Sequence, residues 1–127
     1  MALYAQISEI AAPSQAYAGS RVDIVVKIKN LYSTVISLMV GGAQEYGVSP
    51  WPGIEYPQTG ADVEGGDTYS FNGYFYMPDR AVTLHAYSYW YGGDGYWHFD
   101  DDLTRLVSIG ALTQLVSEFK IMDFVKI

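Results

Sequence analysis

From Arg21 to Asn30 the chain reads RVDIVVKIKN, with Val22, Ile24, Val26 and Ile28 on one parity and Asp23, Lys27 and Lys29 on the other. Alternation with period two is the mark of a strand that buries one face. The same period governs residues 67–77, where Tyr69, Phe71, Phe75 and Met77 oppose Thr68, Ser70, Asn72, Tyr74 and Tyr76. It resumes after Pro78-Asp79-Arg80, with Val82, Leu84, Ala86 and Trp90 against Thr83, His85, Tyr87, Tyr89 and Tyr91. Leu3–Ile10 alternates loosely, and Thr34–Val40 is apolar on both faces, as a central strand is. Gly41–Gly66 is rich in Gly and Pro and predicts a long connection, with one short edge strand near Ile54–Tyr56.

The turn Gly92-Gly93-Asp94-Gly95, taken as a four-residue loop, sets the register of an aromatic hairpin. Tyr91 then faces Tyr96, Trp90 faces Trp97, Tyr89 faces His98 and His85 faces Asp102. This register predicts Trp90 and Trp97 on the inner face and Tyr89, Tyr91, Tyr96 and His98 on the outer one. Leu103–Ile109 continues the second arm past Asp100–Asp102, where a bulge is expected. Helical spacing occurs only at Leu112–Phe119. Seven strand candidates separated by turn signals predict an all-β sandwich.

The segments ISEIAAP (7–13), AGSRVDIVVKIKN (18–30), GGDTYSFNGYFYMP (65–78) and VTLHAYSYWY (82–91) carry a resemblance. In their order and turn residues they are similar to the immunoglobulin-like β-sandwich of the CARDB-like type, found in prokaryotic and viral surface proteins. The resemblance covers about residues 5–109 and implies an immunoglobulin-like fold without shared catalytic residues. Residues 31–53 depart from it by lacking the usual turn after the second strand. It divides the chain into a sandwich at 1–110 and a C-terminal extension at 111–127.

Composition narrows the chemistry. The 127 residues are half hydrophobic and carry a formal net charge of −7. Seven Lys and Arg do not make the basic footprint that phosphate contacts require, so nucleic acid is excluded as an expected partner. The apolar run Val35–Val40 is too short to cross a bilayer, and no membrane partner is expected. With no cysteine there is no thiolate chemistry and no disulfide. His85 and His98 lie near no serine motif, so no catalytic residue is assigned and the expectation is a non-enzyme. Asp100-Asp101-Asp102 with Asp94 lacks the spacing that turns carboxylates toward one cation, and neighbouring strand side chains diverge. Solvated acids at a strand break are the expectation, with no metal and no cofactor.

The surplus lies in aromatics. Tyr74, Tyr76, Tyr87, Tyr89, Tyr91, Tyr96 and Trp51, with His98, exceed what strand propensity asks of an outer surface and mark an interface. A protein partner is expected ahead of a surface glycan, because no cluster of Asn, Gln and Arg accompanies the rings. The end of the chain adds Phe119, Ile121, Phe124, Val125 and Ile127 as candidates, four of them on one strand face. An extra strand donated to the same sheet edge or to a neighbouring copy would cover that face. A single domain opening on Met1 without a leader-like segment fits a part assembled inside a cell. The expected function is a structural protein of a virion, such as a capsid decoration protein that binds itself or another structural chain. The alternative is a carbohydrate- or cell-surface-binding module of a larger secreted protein.

Overall fold

The computed structural model describes residues 2–110; the sequence expectations at Leu112–Phe119 and at Phe119, Ile121, Phe124, Val125 and Ile127 lie outside the described residues. Eight strands follow one another: β1 Ala5–Ala11, β2 Gln15–Ala16, β3 Arg21–Asn30, β4 Ile36–Glu45, β5 Gly60–Val63, β6 Thr68–Tyr76, β7 Val82–Tyr91 and β8 Trp97–Ile109. They form a three-stranded sheet in the order β1-β3-β6 and a five-stranded sheet in the order β2-β8-β7-β4-β5. This is the immunoglobulin-like sandwich arrangement, with the short β2 running parallel to the end of β8.

The inward parities read from the sequence hold where strands are longest. Val22, Ile24, Val26 and Ile28 of β3 pack with Phe71 and Phe75 of β6 and with Val82, Leu84 and Ala86 of β7. Phe71, Phe75, Leu38, Leu84 and Val107 are almost wholly removed from water. Such rings and branched chains dominate the free energy of burial, at roughly 1.5–3 kcal/mol for each aliphatic or Phe side chain.

Three expectations are corrected. β4 does not stop at Val40 but runs on through Gly41 and Gly42 to Glu45, pairing with β7 down to Thr83. The edge strand lies at Gly60–Val63; near Ile54–Tyr56 there are isolated bridges, from Gly53 to Ala43 and from Glu55 to Tyr74. The Glu55–Tyr74 bridge lays the half-buried Tyr56 against the core, where glycines make the room. A side chain at Gly73 would begin 2.8 Å from the Tyr56 ring, and one at Gly42 would begin 2.9 Å from its hydroxyl. Tyr56 therefore spans the gap between β6 and β4, and burial pushes its phenol well above the ordinary range.

The third correction concerns the aspartates. Asp100 and Asp101 are not simply solvated, whereas Asp102 is exposed as expected. Asp100 accepts hydrogen bonds from the backbone N–H groups of Leu3 (2.7 Å), Tyr4 (2.8 Å) and Ala5 (2.5 Å), and Asp101 accepts one from Ile7 (3.0 Å). The Ser88 hydroxyl donates to the Ala5 carbonyl at 2.6 Å, and Arg105 Nη2 donates to the Ala12 carbonyl at 2.7 Å. The outer edge of β1 is thus satisfied by side chains of β7 and β8 from the other sheet. This stitching closes one side of the sandwich without a shared ladder.

Candidate functional site

The hairpin that carries the aromatic rings has a different register from the one its loop suggests. Gly95 N–H donates to the Gly92 carbonyl and Gly92 N–H to the Tyr96 carbonyl, while Gly95 sits at φ 83°. Three residues, Gly93-Asp94-Gly95, make the loop, with the left-handed glycine that such loops require. Tyr91 therefore pairs with Trp97, Trp90 with His98 and Tyr89 with Phe99. A slip of one residue moves each side chain to the other face of its strand. Trp97 and Phe99 join the outer face; His98 leaves it and stacks on Trp90 at 4.3 Å and 21°. The register then shifts between Ser88 and Tyr89, leaving Asp100 as the extra residue of the expected bulge.

On the outer face of the five-stranded sheet, β7 presents Thr83, His85, Tyr87, Tyr89 and Tyr91 in one column. Opposite them in register β8 places Leu106, Thr104, Asp102, Phe99 and Trp97. On the other side β4 places Glu45, Ala43, Gly41 and Met39. The small residues leave room for the rings to lean, and the Tyr89 ring passes 3.6 Å from where a side chain at Gly41 would start.

The loop after β4 adds one more ring. Gln44 N–H donates to the Pro52 carbonyl and Gln44 Nε2 to the Gly53 carbonyl, both at 2.8 Å. The loop so held lays Trp51 flat on His85, with centroids 5.3 Å apart and planes 14° from parallel. His85 Nε2 lies 2.6 Å from Glu45 Oε1. The indole N–H of Trp51 is buried without a partner among the described residues.

Five of the rings, from Trp51 to Tyr89, form a continuous run, and Tyr91 and Trp97 make a separate pair. His85 stacks on Tyr87 (6.1 Å), Phe99 wedges between Tyr87 (6.1 Å) and Tyr89 (5.7 Å), and Tyr91 meets Trp97 edge-on (5.2 Å). Phe99 is 58% exposed and Trp97 42%. Glu45 and Asp102 share this face with Asp62 of β5, whose partner is Ser37. Among the described strand residues no Lys or Arg points to this side, since Arg105 has the inward parity of its partner Leu84. The Tyr87 phenol is held above its ordinary value, first by partial burial and then by Tyr89, Asp102 and Glu45 beside it. It stays a neutral hydrogen-bond donor in an acidic setting.

The other predicted site residues are elsewhere. Tyr74 and Tyr76 lie on the outer face of the three-stranded sheet, across the core from Tyr87, Tyr89 and Tyr91. There the Arg21 guanidinium sits 4.0 Å above the Tyr74 ring and its Nε bonds Asp23 at 3.0 Å. A cleft of about 220 Å³ beside them is lined by Arg21, Asp23, Pro57, Asn72 and Tyr74. Tyr96 projects from the hairpin turn and His98 is tied to Asp94 at 2.8 Å. That bond, with the Tyr96 N–H, holds the Asp94 carboxyl below its usual range. Sequence reasoning missed Trp97 and Phe99 because their face depended on the loop count.

No protein-family model matches the chain. No curated protein matches it in sequence. Its fold is similar to part of the alkylpurine DNA glycosylase AlkC of Pseudomonas fluorescens, solved bound to DNA containing an abasic site analogue. The TM-score is 0.60 at 12% identity, over 85% of this chain and 31% of that one. It is similar to the sporulation control protein Spo0M of Bacillus subtilis (TM-score 0.53, 10% identity, 97% of this chain and 56% of that one). A Niemann-Pick type C2 protein from the Japanese carpenter ant aligns over 87% of this chain and 96% of its own, with TM-score 0.51 and 8% identity. This chain spans about a third of the first and just over half of the second. Identities this low speak of fold alone.

Proposed function

We propose that the protein is a non-catalytic assembly module that docks a protein partner through the aromatic face of its five-stranded sheet. The observation that carries this is the unbroken run Trp51–His85–Tyr87–Phe99–Tyr89, with half-exposed rings at its centre and the separate pair Tyr91–Trp97 on the same face. Rings of this kind anchor protein interfaces, where aromatic side chains carry most of the energy. Trp51, His85 and Tyr87 stack on one another, so ring faces that would receive a sugar are already occupied by neighbours. That packing favours protein over glycan at this face. The setting we favour is a virion, as a structural or capsid decoration protein, in line with the resemblance to viral and prokaryotic surface domains.

One feature favours a second reading, a carbohydrate- or cell-surface-binding module. The cleft on the opposite sheet combines Arg21, Asp23 and Asn72 with the ring of Tyr74, the mixture that orients hydroxyl groups. The deciding experiment replaces Tyr89 and Phe99 with Ser and measures association by light scattering and virion incorporation. The expected result is an intact fold with association weakened roughly tenfold or more, since an anchor ring is worth about 2 kcal/mol. Unchanged association with glycan binding in the wild type transfers the function to the second reading.

A further inference from the structure

A separate group of rings stands at the end of the sandwich where β7 runs into its turn. Trp90 is only half-buried, contrary to the fully inward position that parity suggests, and Tyr4 meets it at 4.8 Å with planes 88° apart. Tyr32 meets Tyr4 in turn at 5.1 Å and 80°. Three rings joined at near right angles make the walls of a box corner. Ile36, Tyr91, Gly92 and Gly93 complete a cleft of about 250 Å³.

We propose that this cleft is a binding site for a quaternary ammonium group of the choline type. Four features support this. The lining offers the rings of Tyr4, Tyr32 and Trp90, the last stacked on His98 by one face, and aromatic faces carry the negative end of the ring quadrupole that attracts a cation without needing a hydrogen-bond acceptor. Among the described residues no Lys or Arg lines the cleft to oppose it. The chain as a whole is acidic, at −7, which raises the local concentration of any cation. The volume lies below the roughly 300–1,000 Å³ of sites for drug-sized ligands, yet holds a headgroup.

A methylated lysine within a peptide shares the ammonium chemistry, but much of the backbone around the cleft is already paired. Trp90 and Tyr91 belong to β7, which has β8 along one edge and β4 along the other as far as Leu38. The Tyr4 carbonyl is taken by the N–H of Leu31. A compact headgroup suits this largely paired backbone better. The site lies apart from the aromatic docking face, touching it only at Tyr91, and does not depend on that reading.

The test is a titration of the intact protein with choline and with 3,3-dimethylbutanol, its uncharged isostere, followed by NMR at the Trp90 indole N–H. Saturable shifts with choline and none with the alcohol are expected. Tyr32→Leu, which keeps apolar bulk at an exposed position, should weaken choline binding roughly tenfold, the scale of one desolvated cation–π contact. Phosphatidylcholine vesicles separate a lipid headgroup from the free ligand, and binding of either supports the site. Equal binding of choline and the alcohol, no saturation with choline, or an unaltered affinity in Tyr32→Leu overturns it. Tighter binding of a trimethyllysine peptide than of choline overturns the choline assignment.

Discussion

Replacing Asp100 with Ala tests the stitching of β1 to the opposite sheet. The carboxylate receives three backbone N–H groups, Leu3 on Oδ1 and Tyr4 and Ala5 on Oδ2. These donors are not equally costly to abandon. Leu3 is exposed and Tyr4 half-buried, so water replaces much of what they lose. Ala5 is 0% exposed, and a buried N–H left without a partner costs about 1–3 kcal/mol. Adding roughly 1 kcal/mol for the two outer bonds, which are to a charged acceptor, gives a loss of about 2–4 kcal/mol.

Urea denaturation measures this as a fall of about 1–3 M in midpoint at an unchanged slope. Asp100→Asn should lose a smaller part of the same stability, because its amide oxygen can face Tyr4 and Ala5 and leave only the exposed Leu3 N–H without an acceptor. A carboxylate accepts at both oxygens, whereas an amide turns an NH₂ toward one set of donors. Asp102→Ala is the internal control, because its side chain points to the outer face beside Tyr87 and receives none of these bonds. It should stay within about 0.5 kcal/mol of wild type. Hydrogen exchange adds a local reading: the Ala5 amide should lose protection in Asp100→Ala and keep it in Asp102→Ala. Equal stability of the two Ala variants would refute the stitching, and with it the account of how β1 is held.

Two further outcomes follow from the core. Phe71→Ala removes a ring that is 1% exposed between the sheets and should cost about 3–5 kcal/mol, read as a large drop in melting temperature. Tyr56→Phe keeps the strut and loses only a long 3.5 Å contact to the Gly41 carbonyl, so near neutral pH its stability should match wild type within about 1 kcal/mol. Because burial raises the Tyr56 phenol in the folded protein, its stabilising share is intact below pH about 10, where the unfolded phenol begins to ionise, and is lost as pH rises above it. Denaturation between neutral pH and pH about 11 should show wild type losing stability faster than Tyr56→Phe, and parallel curves would contradict the burial.

What the sequence determined by itself is the side of each strand. Val22, Ile24, Val26 and Ile28 face inward because successive side chains alternate across a pleated backbone, and covalent geometry carries that alternation along β3 without help from the rest of the chain. The same local rule placed Phe71, Phe75, Val82 and Leu84 in the core and Tyr87, Tyr89 and Tyr91 outside. Tertiary structure decided what no local rule reaches. Whether Trp97 or His98 joins the tyrosines depends on one loop residue, and Gly95 in the left-handed region settles it. Trp51 finds His85, and Asp100 finds Leu3, Tyr4 and Ala5, only because sheet order brings distant segments together. Tyr74 and Tyr76 share a pattern with Tyr87 and Tyr89 yet end on the opposite side of the sandwich. Alternation says inside or outside, but a two-layer fold has two outsides, and only the packing of one sheet on the other assigns them.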